Sequence, residues 1–142
     1  MKQRDIILAA FAPAKGSLHT PVQVQKLLFL IDREIPQYVD GPHFNFKPYH
    51  YGPFDLLVYD ELATLAEEKY IDIVPESNWN SYRLTDTGQK EGEKILNSLN
   101  PKAKLFIETM SVFVRSVSFE QLVSAIYKAY PEMKENSVFR GC

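Results

Sequence analysis

The chain has almost no cysteine. Its single thiol, Cys142, is the last of 142 residues, which leaves no disulfide framework and no cysteine-based zinc cluster within the sequence. Glycine is sparse too: the six are scattered, and none builds a phosphate-cradling loop between a strand and a helix. No apolar run approaches the ~20 residues a membrane helix needs, and the opening Met1-Lys2-Gln3-Arg4-Asp5 leads into no apolar leader core. Neither sign of charge dominates. A net charge of −2 and a pI near 5.9 argue against bulk attraction to nucleic acid, although a local basic patch is compatible with them. The three histidines, His19, His43 and His50, are dispersed; only His43 and His50 share a loop, where Asp40 or Asp55 would have to complete a metal site. These absences predict a cytoplasmic protein without a membrane span, metal or cofactor.

What is present is core-forming material. Hydrophobic residues make up 45% and aromatics 13%, enough for one packed domain of this length. Apolar spacing and caps predict six helices. The first covers residues 2–12, with Ile6, Ile7, Ala10 and Phe11 inward. Thr20-Pro21-Val22-Gln23 reads as a capping box with proline at the first helical position. The second helix runs from there to about residue 35, burying Val24, Leu27, Leu28, Ile31 and Ile35 and turning Lys26, Phe29 and Arg33 outward. A long connection, residues 36–53, carries Phe44, Phe46, Tyr49 and Tyr51, with a short extended piece expected around Phe44–Lys47. Gly52 and Pro53 are expected to open the third helix, with Phe54, Val58, Leu62 and Leu65 on one face. Two strand-like runs follow, residues 71–74 and 82–84, joined by a polar tip around Trp79. Thr85, Asn100 and Ser118 each read as a helix cap. Helix, helix, helix, hairpin is the order of a winged helix. The fold class is therefore mainly α: a winged-helix-like core with a small β-hairpin and additional C-terminal helices, spanning residues 1–131, with residues 132–142 as a tail. One of the two terminal helices is also suited to a homodimer seam.

No catalytic constellation emerges. No serine sits in a strand-to-helix elbow, and the neighbouring carboxylates Asp60-Glu61 and Glu67-Glu68 point about 100° apart on a helix rather than at a shared substrate. Residues 54–69 stand where a winged helix places its DNA-reading helix, yet they carry Asp55, Asp60, Glu61, Glu67 and Glu68 against Lys69 alone. Phosphates repel such a segment, and a basic protein attracts it. The partner-binding residues predicted are accordingly Phe44, Phe46, Tyr49 and Tyr51 in the loop with Asp60 and Glu67 on the helix. A nucleic-acid surface would have to use Lys26, Arg33, Lys47 and Arg83 instead, and a winged-helix DNA-binding transcription regulator is the alternative reading.

Val24-Gln25-Lys26-Leu27-Leu28-Phe29-Leu30, together with Phe46, Tyr49, Tyr51-Gly52-Pro53-Phe54 and Tyr59, resembles the early helix and the aromatic–Tyr-Gly-Pro block of the SocA-like, or Panacea-type, antitoxin domain. The likeness spans roughly residues 20–88. It implies a small helical domain without catalysis that neutralises a toxin, or serves as an adaptor protein regulating a partner. It carries over no set of toxin-contacting residues.

Overall fold

The computed structural model describes residues 1–139. Among them are six α-helices: α1 (Gln3–Phe11), α2 (Pro21–Glu34), α3 (Leu57–Glu67), α4 (Asp86–Ser98), α5 (Pro101–Ser116) and α6 (Phe119–Ala129). Two antiparallel hairpins complete the fold, β1 (Lys47–Tyr49) with β2 (Gly52–Phe54) and β3 (Ile71–Pro75) with β4 (Asn80–Leu84). The mainly helical class with a winged core and C-terminal helices is the observed one. None of the helices among the described residues is long and apolar enough to cross a membrane.

Local chemistry explains most boundaries. Thr20 Oγ1 accepts from the Gln23 N–H at 3.3 Å while the Gln23 amide oxygen accepts from the Thr20 N–H at 2.9 Å, and Ser118 and Gln121 repeat the exchange at the start of α6. Thr85 caps α4 through the Gly88 N–H, and Asn100 caps α5 through the Lys102 N–H. The wing, β3–β4, pairs from Ile71 opposite Leu84 out to Pro75 opposite Asn80. His19, in the link between α1 and α2, adds one bridge to it, exchanging backbone hydrogen bonds with Tyr82 at 2.8 and 2.9 Å.

Two expectations need correction. First, α3 does not begin at Gly52-Pro53. Those residues and Phe54 form β2, and Pro48 faces Pro53 at the one rung of this ladder where no N–H is required. The spacing of Phe54 to Val58 mimics a helical repeat, but Gly52 at φ +103° folds the chain back as a hairpin instead. Second, α2 has no polar outer face. Every residue from Val24 to Asp32 is buried, including Lys26 at 3% and Phe29 at 2% exposure, because α1, α5, β2 and β4 all pack on it. Of the stripe Lys26, Phe29 and Arg33, only Arg33 therefore reaches the surface. On α5 the buried residues are Ala103, Ile107, Ser111 and Val114, with Phe106, Met110, Phe113 and Val117 partly covered and packed against the core. The tail is anchored as far as it is described: Met133 is buried, and the Val138 N–H donates to the His50 carbonyl at 2.9 Å. Cys142 lies outside the described residues.

Candidate functional site

Hairpin β1–β2 and the start of α3 are held in place by three buried polar side chains. Gln25 on α2 behaves as a backbone rung: its amide nitrogen donates to the Asp55 carbonyl at 3.1 Å, and its oxygen accepts from the Asp55 N–H at 3.0 Å. Asp55 then accepts from the Asn45 N–H at 2.8 Å and from the N–H of Leu57, the first residue of α3, at 2.9 Å. Asp32 accepts from the His43 and Phe44 N–H groups at 2.9 and 2.7 Å. Its carboxyl is raised above the usual range by burial, against which those two N–H groups act. Unpaired backbone in a long loop is costly inside a protein; here these carboxylates and the amide satisfy it.

This framework leaves a groove of about 440 Å³ between hairpin and helix, lined among others by Lys47, Pro48, Tyr49, Phe54, Leu56 and Leu57. Leu56 is 65% and Leu57 52% exposed, and Tyr49 beside them is 48% exposed. One turn further along α3, Asp60 is exposed, and Glu67 is exposed near the helix end. A second cavity of about 220 Å³ lies on the inner side of the hairpin, lined by Lys26, the first turn of α2 and several aromatic rings.

The predicted residues are thus only partly brought together. Tyr49 and Lys47 line the groove, and exposed Asp60 follows one helical turn after Leu56 on α3 without lining it. Phe44 and Phe46 are half-buried instead; Phe46 meets Phe29 edge-on at 5.7 Å, and both line a separate hollow beside Arg33. Tyr51 turns toward α6 and meets Phe119 edge-on at 5.1 Å. Asp55, counted among the outward carboxylates of α3, is internal, and Glu68 is held by Arg4 at 3.0 Å, so the free acidic face narrows to Asp60, Glu61 and Glu67. Leu56 and Leu57 were missed. Once Val58, Leu62 and Leu65 fix the inward face, helical phase turns the two preceding leucines away from it, which is a readable signal.

The four basic residues expected to form a nucleic-acid surface are not brought together. Lys26 is enclosed; Arg33 lies over the rings of Phe29 and Tyr130, at 5.4 and 5.1 Å, and pairs with Glu132; Arg83 pairs with Asp72 at 3.3 Å across the wing. Lys47 is exposed. Among the described residues no group of three or more His, Cys, Asp or Glu side chains is placed to hold a metal. Of the C-terminal helices considered for a dimer seam, α5 exposes Leu105 and Val112, two turns apart.

No family model matches the chain, and neither a curated protein nor a solved structure matches it.

Proposed function

We propose that the chain is a non-enzymatic cytoplasmic protein-binding module, of the antitoxin or adaptor kind, that docks a basic protein partner. The observation that carries this reading is the pair Leu56 and Leu57, exposed side by side at the rim of a groove whose other wall is Tyr49. Scattered single leucines are ordinary on surfaces; a contiguous apolar rim beside a groove marks an interaction site. Asp60 and Glu67, on the solvent side of the same helix, bias that site toward positive charge. The resemblance of the Tyr51-Gly52-Pro53 block and of α2 to SocA-like antitoxin domains supports the same reading. Phe44 and Phe46 would shape the loop from beneath, while Tyr49, Leu56 and Leu57 make contact.

The test is co-expression with the product of the adjacent reading frame, with growth as the readout. The wild-type chain should relieve growth arrest. Leu56→Asp with Leu57→Asp, and separately Asp60→Lys with Glu67→Lys, should fail to relieve it while keeping the wild-type melting temperature. Truncating an interface anchor typically costs ~2 kcal/mol, about thirtyfold in affinity. Equal rescue by both variants would reject the groove. Sequence-selective DNA binding that falls steeply with salt would replace the proposal with the transcription-regulator reading.

A further inference from the structure

The inner cavity holds a charge problem. Lys26 lines it, yet the residue is 3% exposed, and its ammonium donates a single long hydrogen bond, 3.4 Å to the Pro53 carbonyl. An ammonium carries three donors, so two are left without a protein acceptor. None of the residues lining the cavity is acidic: they are Pro21, Val22, Gln25, Lys26, Gly52 and five rings. Gln25 is already spent on the Asp55 backbone. A buried lysine without a counter-charge is expensive, and a hydrophobic residue of the same length would fill the space at less cost. Consistent with this, burial alone brings the amine down from 10.5 to about 7.

Access to the amine is built into the backbone. Gly52 has φ +103°, and a Cβ placed there would stand 3.3 Å from Tyr127 Cε1, 3.6 Å from Lys26 Cε and 3.7 Å from Nζ. Glycine there keeps a side chain from being wedged between the Lys26 amine and the Tyr127 ring of α6. Pro21 and Val22 belong to the first turn of α2, so the positive end of a 14-residue helix borders the same cavity. The remaining wall is flat and aromatic. Tyr49 stacks on His50 at 4.2 Å and on Phe54 at 5.1 Å, and Tyr59, whose phenol burial pushes up, meets Phe54 at 5.8 Å.

From this arrangement we propose that the cavity is a binding site for a small aromatic carboxylate, its ring against Tyr49, Phe54 and Tyr59 and its carboxylate paired with the Lys26 ammonium. Size and charge both select this class. A cavity of ~150 Å³ accommodates benzene, so about 220 Å³ takes one ring and a carboxylate but not a nucleotide. One cation and a helix end match a monoanion; the lining has no arginine fork for a phosphate dianion. The proposal is independent of protein docking at the outer groove.

Isothermal titration of the full chain tests it, with benzoate as probe and benzamide as the neutral isostere. Benzoate should bind about tenfold or more tightly than benzamide. At pH 7.5 its binding should take up a fraction of a proton, seen as heats that differ between buffers of low and high ionisation enthalpy, because pairing restores the charge on an amine that is partly neutral there. His50, Tyr49, Tyr51 and Tyr59 are the other titratable groups lining the cavity, and Tyr127 of α6 stands across Gly52 from the amine, so the same titrations on Lys26→Met assign the proton. Lys26→Met removes a buried unpaired amine and should melt no lower than wild type at pH 7, which separates lost binding from lost folding. In that variant the preference for benzoate and the proton uptake should both disappear. Absence of heat at ~10 mM benzoate, benzamide binding as tightly as benzoate, or an unchanged Lys26→Met variant would each overturn the site.

Discussion

His19 lies face to face on Phe11, ring centroids 4.3 Å apart, with no exposure and neither ring nitrogen in a hydrogen bond of normal geometry. Burial, helped by the charge of Arg115 and opposed by the backbone of Tyr82, lowers its pKa from 6.5 to about 4. The unfolded chain therefore binds a proton between those values that the folded chain refuses. Stability is full above pH 6.5, falls as the pH drops toward 4, and levels off below; the loss amounts to about 3 kcal/mol. Asp32, whose carboxyl burial raises, acts in the opposite sense on acidification. Urea denaturation at pH 7 and pH 4.5 should show His19→Phe losing less stability than wild type over that interval; parallel losses would mean the imidazole is hydrated. Single residues were legible in the sequence where their chemistry is local. Thr20, Thr85, Asn100 and Ser118 cap the helices they were expected to cap. Lys26 and Asp32 were not legible as internal, since a polar side chain in an amphipathic repeat defaults to the outside. Only the packing of other elements on every side of α2 reverses that.

Helix α4 packs against α1 and the link between α3 and β3 through two glycines. A Cβ on Gly92 would stand 2.4 Å from the Leu8 carbonyl oxygen, and one on Gly88 1.9 Å from the Tyr70 carbonyl oxygen. Both obstacles are backbone, which cannot rotate away. Alanine in a helix is ordinarily favoured over glycine by about 1 kcal/mol, so the sign of Gly92→Ala decides whether contact or propensity dominates. The contact should win, with a net loss of about 2 kcal/mol in chemical denaturation. A stabilised variant would mean that α1 and α4 stand further apart. The wing and the Thr85–Gly88 cap were readable as elements because alternation, turn chemistry and cap follow one another without a gap. Hairpin β1–β2 was not, because Gly52-Pro53 suits a helix start as well as a tight reversal, and its pairing with Lys47–Tyr49 is decided by the Gln25 and Asp55 clamps.

At the scale of the whole molecule, the protein is organised around α2. Nine consecutive buried residues, Val24 to Asp32, place its backbone beyond the reach of local fraying. Amide hydrogen exchange of these residues should follow global unfolding, while the exposed turn between Pro75 and Asn80 exchanges orders of magnitude faster. Equal protection at the two places would contradict a single cooperative core. The overall class was legible from helix order and wing. The candidate site was legible only in part, because its groove depends on where the hairpin sits, and that is a tertiary decision.

Tyr49 and Phe54 line both the inner cavity and the outer groove. Two stacked rings thus form a shared septum, with a chamber suited to a small anion on one side and a face suited to a large cation on the other. Whatever presses on that septum from one side changes the room on the other, and thermodynamic reciprocity makes the two influences equal in size. A metabolite-sized molecule in the chamber would tune protein docking by the factor with which the docked protein tunes retention of the metabolite.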